Sequence, residues 1–461
     1  MEPKYMFKFL ACLFLIAILF ASCKKFLEVS SPTDQVDSEE VFKNDATAIS
    51  AITGIYSEMM NASNQFSNSS ITLYAGMAAD ELYYYQPDII NEFAKNDISV
   101  ANHSNLSMRF WTPAYKYIYI TNLSLEKLNA STAITPSVKS MLIGECKFIR
   151  AFCYFHLVNL FGDVPLCLSS DYRVNETLPR STVQNIYLQI ESDLKDAKNL
   201  LQEDYRIPER AAPNRWAASM LLAKMYLYAG NWSKAEEEAT SVINSGVFSL
   251  LSNLDNVFLK SSNETIWQLA PVTPSRNTWE GFMIIPSSNS TVPTYLITPE
   301  LLTSFEPGDQ RKTSWIKSRI FSSQTLYYPY KYKIRTGTTI NEYNIVFRLA
   351  ELYLIRAEAR GQLNNIQASV NDLNLIRTRS GLAPLLNSID QVHCLLAVEQ
   401  ERRAELFAEW GNRWYDLRRT SRANVVLKSL KPLTWQSTDV LWPIPIDQIK
   451  LNSALSQNPG Y

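Results

Sequence analysis

Two carboxylates four residues apart, Glu401 and Glu405 in VEQERRAELFAEWGNRWYDLRR, come nearest in this chain to an acid/base pair. Glycoside hydrolysis needs two carboxyl groups about 5 to 9.5 Å apart, and an i, i+4 spacing puts both on one helix face. The same segment carries Arg402, Arg403, Arg413, Arg418 and Arg419. Interleaved opposite charges on a helix are usually ion pairs that hold packing, so the pair reads as structural. Asp309 and Arg311 in EPGDQRK read the same way, as a turn with a local salt bridge. His103, His156 and His393 are dispersed, and no zinc spacing, nucleophile elbow, Cys/His pair or phosphate loop occurs. No catalytic constellation, cofactor or metal is therefore expected.

Capture without chemistry asks for flat aromatic faces that stack on sugar rings or peptide planes, flanked by amides and hydroxyls. Two stretches offer them. In DELYYYQPDIINEFAKNDISVANHSNL, Tyr83, Tyr84 and Tyr85 precede a polar insert with Asn96, Asn102 and His103. An irregular central region adds Trp279, Tyr295, Trp315, Tyr327 and Tyr328. These are the candidate ligand-binding residues. Strand side chains alternate faces, so at least one of the three consecutive tyrosines should be core. Trp111, Tyr115, Trp216, Trp232, Trp414 and Tyr415 sit inside repeating helical patterns and are assigned to the core.

The chain opens with a segment of another kind. Lys4 and Lys8 precede a twelve-residue apolar run, 9–20, that stops at Ala21-Ser22-Cys23. A spanning helix needs ~20 apolar residues, so 1–22 reads as an export signal. A cysteine directly after small residues resembles a bacterial lipobox, although Phe20 stands where an aliphatic residue is usual. Cys23 would then be acylated, and at ~0.8 kcal/mol per buried CH2 several acyl chains anchor stably. Residues 23–37, with Ser, Pro and Asp and no periodicity, suit a tether.

Among 461 residues there are only thirteen glycines, and the net charge is −1. The first disfavours a turn-rich barrel or a phosphate-loop enzyme. The second leaves no electrostatic footprint for nucleic acid. Cys146 and Cys153 lie seven apart on a helical segment, ~10.5 Å by the rise per residue and beyond the ~7 Å reach of a disulfide, so they read as core.

Helical periodicity begins at Ser38, with Val41, Ala48, Ile52, Ile55 and Met59 in register. A second helix puts Trp111, Tyr115, Ile118, Asn122 and Leu125 on one face, and a third ends at Gly162-Asp163-Val164-Pro165. Two later segments resemble each other. Leu222-Ala223-x-x-Tyr226 is followed by Gly230 and Ala235; Leu349-Ala350-x-x-Tyr353 is followed by Gly361 and Ala368. Each reads as a tetratricopeptide-like helical hairpin, a unit that buries its apolar face only by stacking. Between them, 247–340 is rich in Ser, Pro, Asn, Thr and aromatics, which suits short strands and ordered loops. The expected fold is mainly α: a tetratricopeptide-like helical-repeat scaffold with an irregular loop-rich region containing a few short strands. The divisions are 1–22 signal, 23–37 tether, 38–246 N-terminal helical region, and 247–461 C-terminal region with the insert 247–340.

Seven segments in order resemble the SusD/RagB outer-membrane nutrient-binding lipoproteins of Bacteroidetes. They are ECKFIRAFCYFHLVNLFGDVPL, LPRSTVQNIYLQIESDLKDA, the hairpin at Trp216, PTYLITPELLTSFEPGDQRKTSW, VFRLAELYLIRAEA, ERRAELFAEWGNRWYDLRRT and LWPIPIDQIKLNSALSQNPGY. The resemblance implies a surface-exposed, lipid-anchored outer-membrane protein. Such a protein binds oligosaccharide, or in some members peptide, and hands it to a SusC-like TonB-dependent transporter. Lys24-Lys25 stand where family members often carry acidic residues. The alternatives are a glycoside hydrolase and a structural tetratricopeptide adaptor.

Overall fold

A computed structural model describes residues 38–61 and 65–461. The expected signal peptide, Cys23 and the expected tether lie outside the described residues. The first helical pattern is broken in two, a turn at Ser38–Val41 and helix α1 at Asp45–Asn61. Asn44 makes the break, because its Oδ1 accepts the Thr47 N–H at 3.0 Å and so caps α1. A π-helix, Phe66–Ala75, follows and is buried throughout. Its polar start is satisfied by α1, since Ser67 Oγ and Asn68 Nδ2 both donate to Met59 O, at 2.8 and 3.1 Å. Strand β1 is Leu82–Tyr84 and helix α2 is Asn91–Lys95.

Helices α3, Thr112–Ala130, and α4, Pro136–Phe161, each carry proline in the first turn, where its missing N–H has no partner to lose. Across 144–161 every residue of α4 except Lys147 is buried. A helix apolar all round must be enclosed by others, and α1, α3 and α5, Val183–Leu200, pack about it. The charges inside it are paired. Arg150 donates to Asp193 of α5 at 2.7 and 2.8 Å and to Asn122 of α3 at 2.8 Å. Glu145 accepts from Tyr56 Oη at 2.7 Å and from Arg206 at 2.7 and 2.9 Å. Cys146, Cys153, Cys167 and Cys394 are free and buried.

The two similar hairpins have the same build. Helices α6, Arg215–Tyr228, and α7, Trp232–Asn244, form the first. The loop-rich region then supplies strand β2, Thr265–Leu269; helix α8, Trp279–Ile284; and strands β3, Tyr295–Ile297, β4, Ile316–Phe321, and β5, Gln324–Pro329. Strand β6, Asn344–Arg348, runs into α9, Leu349–Gln362, and α10, Ile366–Arg379. Asn231 and Asn365 open the second helix of each hairpin with matching backbones, φ −90° in both and ψ 74° and 68°. Each accepts the N–H three residues on, at 3.3 and 3.4 Å. Helix α7 packs on α9, stacking one hairpin on the other, and α11, Gln391–Leu406, α12, Asn412–Arg419, and α13, Ala423–Leu430, complete the C-terminal part.

The strands form antiparallel pairs, β1 with β3, β2 with β6 and β4 with β5. The β4–β5 hairpin turns through Ser322 and Ser323, whose φ of 48° and 64° suit a tight hairpin turn.

Candidate ligand-binding face

The three consecutive tyrosines lie on and beside β1. Tyr83 pairs with Leu296 and Tyr84 with Tyr295, and the Tyr85 N–H donates to Thr294 O at 3.0 Å. The strand anchors itself through Leu82, 1% exposed, and none of the three tyrosines is core: all are half-buried. That corrects the expectation of one buried tyrosine, because the strand begins one residue earlier with an aliphatic anchor. Tyr84 meets Tyr295 edge-on at 5.2 Å, while Tyr85 meets Phe321 of β4 edge-on at 6.4 Å. Tyr327, on β5 opposite Ser318, is also half-buried. Burial raises the Tyr83 and Tyr84 phenols, and Asp88 adds to the shift at Tyr84. They stay protonated as hydrogen-bond donors.

Behind Tyr84 stands a second layer. The Tyr74 ring is buried and carries the Arg109 guanidinium at 5.4 Å, and Arg109 Nε donates to Asn105 Oδ1 at 3.3 Å. Burial pushes Tyr74 up to about 12. Arg109 and Asn105 are half-buried, and Arg109, exposed Asp88 and Tyr84 all act on the Tyr74 phenol, so a guanidinium, an amide and a carboxylate gather about Tyr74 and Tyr84. Neither Arg109 nor Asn105 was among the candidates. The signal for them was an i, i+4 Asn/Arg pair on one helical face.

The other candidates are engaged inside the molecule. Asn96 ends α2 in the left-handed conformation and its Oδ1 accepts from Lys431 Nζ at 2.5 Å. Asn102 Nδ2 donates to Ile89 O and Glu92 Oε2, at 2.8 and 2.7 Å. His103 Nδ1 accepts the Ile446 N–H at 3.1 Å, and burial lowers its pKa. Trp279 Nε1 donates to Met60 O at 2.7 Å with Arg276 over its ring at 4.1 Å, and Trp315 Nε1 donates to Leu254 O at 3.0 Å. Tyr295, Trp315 and Tyr328 are buried. Each of these is set aside as a stacking surface, since its ring or amide is already spent on packing.

Glu401 and Glu405 are likewise engaged. Arg311 Nη1 donates to both, at 2.6 and 3.1 Å, and Glu405 also accepts from Arg348 at 2.6 Å and Arg379 at 2.5 Å. The local Asp309–Arg311 bridge is present at 2.8 Å. Trp111, Trp216, Trp414 and Tyr415 are buried, whereas Tyr115 and Trp232 are half-buried. Trp111 and Tyr115 line a separate groove of ≈ 540 Å³ with exposed Tyr119 and Tyr172.

The architecture is a stacked helical-hairpin scaffold that displays half-buried tyrosines from short strands. Two family models match the sequence, one described as "Starch-binding associating with outer membrane" over 25–227 and the other as "SusD family" over 306–461. The chain belongs to the SusD/RagB family. It is 26% identical to the SusD-like protein P25 of Formosa agariphila, across 97% of this chain and 98% of that one. A crystal structure of a SusD superfamily protein from Bacteroides vulgatus superposes with a TM-score of 0.80 at 22% identity, covering 91% of this chain and all of that one. The solved structure of a "Laminarin binding SusD-like protein" superposes with a TM-score of 0.73 at 23% identity, covering 91% of this chain and 100% of that one.

Proposed function

We propose that this chain is a non-catalytic nutrient-binding lipoprotein of the outer membrane. It captures oligosaccharide on a face centred on Tyr84, beside Arg109 and Asn105, and delivers it to a SusC-like TonB-dependent transporter. The observation that carries the reading is the half-buried Tyr84 ring, seated on Tyr295 and next to the layer formed by Tyr74, Arg109 and Asn105. Stacking faces with a few donors and acceptors at the rim suit pyranose rings, whose axial C–H groups lie on an aromatic ring while their hydroxyls reach polar groups. The family description and the laminarin-binding relative support the same ligand class. Peptide is the alternative cargo. Acylation of Cys23 would hold the binding face beside one membrane protein and raise its effective concentration there.

Isothermal titration of the full chain against a panel of plant, host and microbial glycans and of peptides tests this. Binding of a glycan without release of product, weakened about tenfold on Tyr84→Ala, is the expected result. Binding that survives at Tyr84→Ala and Tyr85→Ala but disappears at Tyr172→Ala would move the site to the groove of ≈ 540 Å³. Radiolabelled palmitate incorporation that vanishes in Cys23→Ser checks the anchor, and co-purification of a TonB-dependent transporter checks the partner.

A further inference from the structure

Arginines of the helical scaffold end on carboxylates, as Arg150 does on Asp193 at 2.7 Å, Arg356 on Asp372 at 2.8 Å and Arg402 on Asp416 at 2.7 Å. Three arginines of the loop-rich region do not. Arg319 donates to the Ser288 and Thr291 carbonyls and Arg335 to those of Phe282 and Ile285. The Arg276 side chain makes no hydrogen bond, and none of the three has a carboxylate partner, among the described residues.

Arg276 and Arg335 share one aromatic ring. Their guanidinium carbons lie 4.0 and 4.2 Å from the centre of Phe282, so they are no farther apart than those two distances laid end to end. Arg276 also stands 4.1 Å from the Trp279 ring, which meets Phe282 edge-on at 5.8 Å. Two loops bring the pair together, since the Gly337 N–H donates to Ser275 O at 2.9 Å. Aromatic faces hold a guanidinium without using its N–H groups. Both arginines are half-buried and neither has an unpartnered nitrogen closed off from solvent, so the donors left over are open to water. Like charges this close repel; burial, and after it the Arg276 charge, lowers the Arg335 pKa.

One segment, 285–294, joins this pair to the Tyr84 face. In order along it, the Ile285 carbonyl accepts from Arg335, those of Ser288 and Thr291 from Arg319, and that of Thr294 from the Tyr85 N–H. Ser287, Ser288, Asn289, Ser290 and Thr291 are exposed along the way, a run of hydroxyl and amide groups suited to sugar hydroxyls.

We infer that Arg276 and Arg335 bind an acidic substituent, a carboxylate or a sulfate ester, of the oligosaccharide held at the Tyr84 face, and so select acidic over neutral glycans. The inference rests on the oligosaccharide reading for the sugar that carries the charge. A guanidinium fork matches the paired oxygens of either group, and an anion bound by both arginines offsets their repulsion.

Titration calorimetry of the full chain tests it with acidic oligosaccharides set against neutral counterparts of the same backbone: oligogalacturonate against its methyl ester, and sulfated carrageenan fragments against desulfated ones. At least one acidic member should bind about tenfold tighter than its counterpart, the scale of charge-assisted hydrogen bonds, and the preference should shrink as salt rises. Preference for the uronate identifies a carboxylate, and preference for the sulfated fragment a sulfate ester. Arg276→Gln should reduce the preference, and Arg276→Gln combined with Arg335→Gln should abolish it, with neutral binding unchanged. Equal binding within each pair that binds, or a preference that survives in the double variant or, should that not fold, in Arg276→Gln, would overturn the inference and leave the oligosaccharide reading standing. Binding by no member of either pair would count against that reading instead. Thermal melts in sodium glucuronate and sulfate, against chloride at equal ionic strength, then decide the arginine pair: a saturable rise that Arg276→Gln weakens supports it, and no rise beyond chloride overturns it.

Discussion

Tyr84 and Tyr295 face each other across the β1–β3 pair with ring centroids 5.2 Å apart and planes inclined at 68°. Tyr295 is 1% exposed and Tyr84 is half-buried, so the inner ring holds the outer one in place. An aromatic face fixed before the ligand arrives loses little rotamer freedom on binding. Tyr84→Ala is expected to weaken glycan binding about tenfold, ~1.4 kcal/mol, the scale of one aromatic contact. Tyr295→Phe keeps the support and should leave affinity near wild type. Titration calorimetry with the best glycan of the panel decides between them.

Trp315 gives the opposite expectation. Its ring is buried between Phe258, at 5.6 Å edge-on, and Lys331 Nζ, at 4.6 Å. Trp315→Ala should destabilise the fold by about 3–5 kcal/mol through the cavity it leaves. A folded Trp315→Ala protein that unfolds in urea like wild type, yet fails to bind, would return this ring to the binding site.

Arg311 is expected to act on stability alone. It bridges Asp309, Glu401 and Glu405, all buried. Removing one member of a buried ionic cluster leaves charges uncompensated and costs about 3–5 kcal/mol. Arg311→Met should therefore lower the urea midpoint sharply, whereas Glu405→Gln should fail to reveal any loss of glycan hydrolysis. Product release by wild type that Glu405→Gln abolishes would restore the hydrolase alternative.

The scaffold was legible where periodicity and capping agree. Leu222-Ala223-x-x-Tyr226 and Leu349-Ala350-x-x-Tyr353 mark helices that the structure repeats, down to the caps at Asn231 and Asn365. The π-helix gave no such sign, because Ser67 and Asn68 of FSNSSITLYA are buried through bonds to the Met59 carbonyl of α1, which no apolar periodicity announces. The binding face was half legible. Residue type finds aromatic rings but cannot say which are half-buried: Tyr84 and Tyr295 differ by their place on two paired strands brought together from distant parts of the chain. Arg109 and Asn105 were missed because helical amphipathicity draws attention to apolar positions, and these two flank them.

Three buried carboxyls should each contribute a stabilisation that declines as pH rises from acid toward neutral. Burial is the main cause that holds the Glu81 and Glu280 carboxyls up at about 8 and Glu342 at about 7. Each folded pKa lies above that of an ordinary glutamate, so the folded state keeps a proton that the unfolded state releases. The stabilisation is complete below ~4.5 and is lost as pH rises through the folded values. Glu280 fits a neutral acid, accepting from Thr72 Oγ1 at 2.6 Å while its Oε2 is buried without a partner. Glu280→Gln should flatten part of the slope between pH 5 and pH 8 in denaturant titrations. An unchanged slope would show that this carboxyl is ionised in the folded state.

Gly411 and Gly246 separate backbone strain from crowding. Both hold a left-handed backbone, φ 67° and 71°, which penalises any L side chain by ~1 kcal/mol. A methyl at Gly246 would meet nothing within 4 Å, whereas one at Gly411 would come 2.8 Å from Ala75 Cβ and 3.0 Å from Ile71 Cγ2. Gly411 opens α12 against the π-helix, so relief requires moving one element away from the other. Gly246→Ala should therefore cost about 1 kcal/mol and Gly411→Ala a further 1–3 kcal/mol, the usual penalty of overpacking. Equal urea midpoints for the two variants would mean that α12 and the π-helix yield freely at this contact.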